Sequence, residues 1–306
     1  MKPLIVLIGP TAVGKTELSL CIAEQLHGEI ISADSRLLYR GMDIGTAKPS
    51  PKERVRVPHH LIDVTEPDDT WSLAKFQAAV YETIDEIHAR GRVPMLVGGT
   101  GQYVRAIVEG WTLPPQPKDG RLRDALTRWG ETIGPEELHR RLAAIDPDAA
   151  TRMDARNLRR SVRALEVIFS TGKLFSVQSA RVPPPYQVCM VGLTRPRSHL
   201  YQRIDARIQM MLDAGLVGEV EGLLERFSRD LPAFSAIGYR ELLPHVLDAL
   251  PLDDAIVQIK RNTRQFVRRQ ANWFKVDDPK IRWFDLDKSS AETVIWCVSD
   301  FLKNSN

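Results

Sequence analysis

Apolar residues fall along the chain in two alternating periods. The run Pro3-Leu4-Ile5-Val6-Leu7-Ile8 is short, β-branched and apolar at every position, the pattern of a parallel strand buried on both faces. Across residues 16–26, Leu18, Ile22 and Leu26 recur every four residues and predict one face of a helix. Residues 29–33 predict a second strand, and 72–90 an amphipathic helix with Phe76, Val80, Ile84 and Ile87 turned inward. Residues 93–97 and 188–193 are two more buried strands, and Ile281-Arg282-Trp283-Phe284 is the last. Helices are expected from about 198, with Leu200, Ile204, Ile208, Met211 and Leu212 apolar, across 255–275, and over 291–303. Between about 118 and 182 strand signals vanish and the sequence turns helical and arginine-rich, bracketed by Leu113-Pro114-Pro115-Gln116-Pro117 and Pro183-Pro184-Pro185. A helical insertion in an α/β core is the economical reading, with residues 1–115 and 186–306 as core and 116–185 as insertion.

The first strand-to-helix junction carries chemistry. Gly9-Pro10-Thr11-Ala12-Val13-Gly14-Lys15-Thr16 fits G-x-x-x-x-G-K-[ST], with the strand before it and the helix after it that the motif requires. Such a turn points successive N–H groups at one anion, aided by the helix dipole. Lys15 adds a point charge for a terminal phosphate, and the Thr16 hydroxyl is a ligand for Mg²⁺. The fold class is therefore α/β, a P-loop NTPase-like core of parallel sheet flanked by helices, plus the inserted helical domain.

In an open parallel sheet, ligands sit beyond the carboxyl ends of the strands, so Asp34 after the second strand would face the phosphate loop. Local sequence leaves a second reading open, a turn or cap carboxylate in Asp34-Ser35. Gly98-Gly99-Thr100-Gly101 brings glycines and a hydroxyl to the same edge. His59-His60 are adjacent strand residues that point to opposite faces, which favours structural roles over a metal pair. Arg203 and Arg207 lie one helical turn apart, so both could reach one anion, or be solvated beside Asp205.

Composition sets limits on these readings. With 43% hydrophobic and 26% charged residues in 306, the chain is an ordinary globular protein. No apolar run reaches the ~20 residues of a membrane span, and no cleavable signal pattern precedes the first strand. Cys21, Cys189 and Cys297 lie far apart, indicating buried thiols in a reducing cytoplasm rather than a zinc site or disulfides. A net charge of +3 confines any nucleic-acid surface to local patches. Two stand out. Arg152, Arg156, Arg159, Arg160 and Arg163 are opposed locally only by Asp154, and 255–275 holds Lys260, Arg261, Arg264, Arg268, Arg269 and Lys275 with no acidic residue. The second reads as a phosphate-backbone track with Trp273 available for packing or stacking.

Together these motifs resemble the tRNA dimethylallyltransferases. The likeness is carried by the phosphate loop, Asp34-Ser35, Tyr39-Arg40-Gly41-Met42-Asp43-Ile44-Gly45-Thr46-Ala47-Lys48-Pro49, Pro58-His59-His60-Leu61-Ile62-Asp63 and Val97-Gly98-Gly99-Thr100-Gly101. Arg163-Ala164-Leu165-Glu166-Val167, Ile237-Gly238-Tyr239-Arg240 and Arg268-Arg269-Gln270-Ala271-Asn272-Trp273-Phe274 extend it over nearly the whole chain. The resemblance implies transfer of a dimethylallyl group from dimethylallyl diphosphate to the exocyclic N6 amine of the adenosine 3′-adjacent to the anticodon, in tRNAs reading U-starting codons. It implies a helical insertion clasping the tRNA anticodon stem-loop and a cytoplasmic, bacterial-type monomer without the zinc-finger tail of eukaryotic relatives.

Carried over by position, the resemblance places residues 11–16 in the diphosphate site, with Lys15 catalytic and Mg²⁺ on Thr16. Asp34 is implied as general base and Thr100 as a substrate-contacting hydroxyl. One of Arg203 and Arg207 is implied to bind diphosphate. The tRNA contacts implied are Asp34, Ser35, Arg36, Leu37, Thr100, Arg123, Arg159, Arg160, Ser161, Val162 and Arg163, then Ser235, Ala236, Ile237, Gly238, Tyr239 and Arg240, then Arg268, Arg269, Gln270, Ala271, Asn272, Trp273, Phe274 and Lys275. Leu37 and Arg159 stand where many members have Gln, and Asn272 and Lys275 replace a usual Thr and Arg. On the phosphate loop alone, a small-molecule kinase and a nucleic-acid-stimulated ATPase are the alternatives. No hydrophobic strand ending in Asp-Glu supports the latter, and a kinase has no need of the basic 255–275 helix.

Overall fold

Leu4 to Ile8 are all fully buried, which two-sided packing of the first strand demands. Strand β1 (Lys2–Ile8) is joined by β2 (Gly28–Ser32), β3 (His59–His60), β4 (Val93–Gly98), β5 (Tyr186–Thr194) and β6 (Ile281–Asp285) in the computed structural model. The structure describes residues 1–114, 120–178 and 181–305; the expected boundary at 115/116 and Pro115, Gln116 and Pro117 lie outside the described residues. All strand pairs are parallel, in the order β3-β2-β4-β1-β5-β6.

Alternate residues of β1 serve opposite cores. Leu4, Val6 and Ile8 pack with Phe76, Val80, Ile84 and Ile87 of the helix Leu73–Ala89 and with the helix Gly101–Val108. Ile5 and Leu7 pack on the other face, beneath the helices Lys15–Leu26, Arg197–Asp213, Leu252–Gln270 and Ala291–Lys303. Each such buried aliphatic side chain contributes about 1.5–3 kcal/mol relative to exposure. The chain forms two compact units, Met1–Val108 with Pro185–Asn306, and Glu109–Pro184. The second unit therefore begins at Glu109, ahead of the expected 116. Its helices Arg121–Ile133, Pro135–Ile145 and Leu158–Thr171 enclose Leu126, Leu138, Leu142, Val162, Leu165 and Ile168.

One helix differs from its expected bounds. Leu252–Gln270 begins with Asp253 and Asp254 in its first turn and stops at Gln270, so Lys275 lies outside it. The reason is packing: Trp273 and Phe274 join the core on the opposite face of the sheet, which a continuing helix could not reach. Arg105 donates to the Trp273 carbonyl at 3.0 Å and lies 5.4 Å over the Phe274 ring, fixing the turn. The reading of that helix as free of counter-charges also fails at one position, since Arg264 is bonded to Asp205 at 2.6 and 2.9 Å. Asp205 is thereby taken from Arg203 and Arg207.

The segment 39–49 is held by two charges, one buried and one half-buried. Lys48, with its side chain 2% exposed, donates to the Tyr39 carbonyl at 2.8 Å and Asp63 at 2.5 Å, and also pairs with Asp43. Glu219 accepts the N–H groups of Asp43, Ile44 and Gly45 at 2.8–3.1 Å and the Tyr239 hydroxyl at 2.6 Å. Burial and this carboxylate push the Tyr239 phenol pKa well up, so it stays a donor. The paired histidines have structural partners: His60 bonds Glu29 at 2.7 Å, and His59 the Val57 carbonyl at 2.7 Å. Glu219→Ala strips the acceptor from several donors at once, and a loss of about 2–4 kcal/mol is expected. Urea denaturation of the two proteins measures it.

Candidate active site

Three strands deliver their carboxyl ends to one edge at one level. Ile8 of β1 is in register with Gly98 of β4 and Gly192 of β5. The β2 exit is tied to the β4 exit, because Ala33 N–H donates to Val97 at 2.8 Å and Thr100 N–H to Ala33 at 3.3 Å. Gly9, Asp34 and Thr100 thus start their loops as neighbours. Gly9 must lack a side chain here: a Cβ would stand 2.8 Å from the Leu193 carbonyl oxygen.

The phosphate loop is braced by cations on its carbonyls. Lys15 Nζ donates to Gly9 at 2.9 Å and Pro10 at 2.8 Å, Arg203 Nε to Ala12 at 2.7 Å, and Arg195 Nε to Val13 at 2.9 Å. Arg195 is in turn paired with Asp287, which also takes His199 at 2.5 Å. Ala12 sits at φ 63°, a left-handed conformation costing about 1–2 kcal/mol for a residue with a Cβ. Gly14 caps the helix, and Thr16 is exposed in its first turn.

Burial lowers the Lys15 pKa to about 8, with Asp34 opposing the shift and Arg207 adding to it. Burial also lowers Arg207, against the pull of Asp34 and with the repulsion of Arg203. Lys15 and Arg207 therefore both feel the Asp34 carboxylate, and Arg203 adds positive charge beside Arg207. Between the two arginines, Arg203 is bonded to the loop itself, whereas Arg207 shares the electrostatic surroundings of Lys15 and Asp34.

Asp34 Oδ1 accepts the Arg36 N–H at 2.9 Å, closing the tight turn that its second reading anticipated, while Asp34 also faces the loop cations. Thr100 Oγ1 accepts the Ser35 N–H at 3.3 Å, leaving its own O–H to donate. Arg36 donates to the Pro232 carbonyl at 3.1 Å and Ser235 Oγ at 2.9 Å, so the 34–37 and 235–240 stretches meet. Gln270 bridges two loops, accepting from Thr11 N–H and donating to the Gly99 carbonyl, both at 3.0 Å.

The stretches expected to meet RNA divide by burial. Ser235, Arg240, Arg268, Arg269, Ala271, Asn272 and Lys275 are exposed, and Leu37, Ile237 and Trp273 are partly so. Ala236, Gly238, Tyr239 and Phe274 are buried, and in the second unit so are Ser161 and Val162. The side chains of Ala236, Tyr239, Phe274 and Val162 complete cores, and Tyr239 also bonds Glu219, so these positions would meet RNA through backbone or by shaping the surface. Arg159 and Arg160 are exposed in the first turn of their helix. Arg123 and Arg163 instead converge on Glu166, at 2.9 and 2.7 Å. Burial alone would raise the Glu166 pKa, but the two guanidinium groups hold it below the usual range.

Two features are not legible in the local sequence: Arg195, and the structural use of Gln270, which the resemblance implies only as a tRNA contact; both bond the phosphate loop across long separations. Only the amide following two arginines, in Arg268-Arg269-Gln270, hinted that this position differed from its neighbours.

Comparison with known proteins adds an independent line. The family model for IPP transferase matches residues 37–277. A tRNA dimethylallyltransferase of a Roseiflexus species is 51% identical over 276 residues, 90% of each chain. One from Symbiobacterium thermophilum is 50% identical over 286 residues, 93% of this chain and 89% of that one. The crystal structure of a full-length tRNA isopentenylpyrophosphate transferase from Bacillus halodurans is 40% identical with a TM-score of 0.73, covering 99% of this chain and 96% of that one. A eukaryotic dimethylallyltransferase solved acting on tRNA is 28% identical with a TM-score of 0.85, covering 99% and 80%. Among the described residues, no helix is long and apolar enough to cross a membrane. A match this long to the family model, with relatives near half identity across nine-tenths of their length, makes the chain a member of the tRNA dimethylallyltransferase family.

Proposed function

We propose that the protein moves the dimethylallyl group of dimethylallyl diphosphate onto the N6 amine of the adenosine 3′-adjacent to the anticodon, in tRNAs that read U-starting codons. The product is N6-isopentenyladenosine, and the enzyme works as a cytoplasmic monomer. The observation that carries this reading is that the Asp34 turn, bonded to Thr100 through Ser35, lies at the sheet edge beside the phosphate loop and feels the charges of Lys15 and Arg207. A leaving diphosphate needs the cations; an amine losing a proton needs the carboxylate.

The adenine amine is a poor nucleophile because its lone pair is delocalised into the ring. The allylic carbon compensates by spreading positive charge as its bond to oxygen breaks. N6 forms the new bond to that carbon, diphosphate departs with the bonding electrons, and the N6 proton passes to Asp34. Lys15, the loop N–H groups and the arginines stabilise the charge that develops on the leaving oxygens. Thr100, whose Oγ1 accepts the Ser35 N–H, donates its own O–H to the bridging oxygen. Thr16, exposed beside Lys15, is an oxygen donor of the kind Mg²⁺ combines with phosphate oxygens and water. Mg²⁺ held there would supply further charge neutralisation for the diphosphate. The target base must leave its stack to reach Asp34, as base-modifying enzymes require. The exposed Arg268 and Arg269 are assigned to the RNA backbone.

Incubation with an unmodified tRNA transcript, dimethylallyl diphosphate and Mg²⁺, followed by nucleoside mass analysis, tests the reading directly. An isopentenyl adduct on the adenosine beside the anticodon is expected, and its absence overturns the assignment. Asp34→Asn keeps the turn-closing acceptor but removes the base, so turnover should fall by about 10²–10⁴ with tRNA affinity unchanged. Neutralising Arg268 and Arg269 together should flatten the dependence of log K on log salt by about one to two units. A third outcome follows from Lys15. Its charged form binds the diphosphate, and its pKa in the free protein is about 8. Anion binding raises that pKa, so affinity is fully present below pH 8 and declines as pH rises through it. Calorimetry with inorganic pyrophosphate between pH 7 and 9.5 should record the decline, and Lys15→Met should abolish it.

A further inference from the structure

Gln270 is the last residue of a helix whose exposed cations face solvent, yet its own side chain turns away from them. Its amide is committed at both ends, with Oε1 on the Thr11 N–H and Nε2 on the Gly99 carbonyl. Only one orientation of the amide satisfies both partners, because the loop presents a donor and the turn presents an acceptor. Gly99 admits this contact: a Cβ there would stand 2.4 Å from Nε2. The two loops so joined hold different halves of the chemistry. The phosphate loop carries Lys15, and the 98–101 turn carries Thr100, which is bonded to the Asp34 loop through Ser35.

We propose that Gln270 is a positioning residue for the transfer. Its amide fixes the gap between the phosphate loop and the 98–101 turn, and so aligns the diphosphate substrate with Asp34 and Thr100, where the amine arrives. This rests on the reading given above of which substrate each loop holds. Gln270 therefore acts in the alignment of the reacting atoms, while Arg268 and Arg269 beside it act in RNA affinity. Misplacement of reacting atoms by a fraction of the gap is costly, since a shift of about 1 Å from the attack geometry reduces rate by about 10²-fold.

Two near-isosteric variants test the assignment. Gln270→Met removes both hydrogen bonds and keeps the volume. Gln270→Glu keeps the acceptor for Thr11 but sets a second acceptor against the Gly99 carbonyl. In single-turnover assays with both substrates saturating, Q270M should be slower by about 10–100-fold. Its tRNA affinity and salt slope should remain within twofold of the parent. Q270E should be as slow at pH 8, and its rate relative to the parent should recover as pH falls, because the protonated carboxyl regains a donor for Gly99. An unchanged rate at saturation, or a loss of tRNA affinity with a flatter salt slope, overturns the proposal and makes Gln270 an RNA contact. Should Q270M fail to fold, a pH-independent rate ratio for Q270E overturns it. The parent protein's failure to prenylate tRNA would sink the proposed function, not this inference. Pyrophosphate binding without RNA then decides: several-fold weaker affinity in Q270M is expected, and equal affinity overturns the proposal.

Discussion

The register of β1 between β4 and β5 is the constraint on which the rest of the site depends. A fully buried strand has no water to satisfy its backbone, so its N–H and C=O groups must find ladder partners on both sides. A slip of one residue would also exchange the side chains of its two cores. The register places Ile8 level with Gly98 and Gly192. From that level Gly9 passes against Leu193, and the β4 exit lies close enough to take the β2 exit as partner. The meeting of Lys15, Asp34 and Thr100 is thus a property of the sheet before it is a property of any loop.

Around this edge the loops are held by charges used structurally. Lys15, Arg203 and Arg195 all donate to phosphate-loop carbonyls and so fix the loop's shape with positive charge. Glu219 performs the converse task for the 39–49 segment, collecting N–H groups on an anion. Lys15 and Glu219 each engage several backbone groups, which offsets the cost of taking their charges out of water.

The fold was legible because its signals are local. The continuous apolar runs of residues 3–8 and 188–193 and the period-four pattern of 72–90 carry their own burial, and the glycine motif carries its own conformation. Asp34 and Thr100 were legible for a different reason, as parallel strands send their carboxyl ends to one edge. What could not be read was pairing across distance. Gln270 meets Thr11 at a separation of 259 residues, and Glu219 meets Asp43 at 176. No periodicity reports such a contact. The same limit explains the buried members of the expected RNA-facing stretches. Local sequence marks Ala236 to Arg240 as a loop or helix start, but the choice of which side chain faces inward belongs to the neighbouring helix. The Arg264 pair with Asp205 joins two helices far apart in the chain, so the basic run looked unopposed.

Lys48 carries a final consequence. Its ammonium group is enclosed by Tyr39, Asp43 and Asp63, with the side chain 2% exposed. Acylating reagents need an approach path to the amine, and the native 39–49 segment does not supply one. Modification of this lysine must therefore wait for the segment to open. Its labelling rate, set against that of surface lysines, reads the opening equilibrium of the segment that runs from the Asp34 turn to β3.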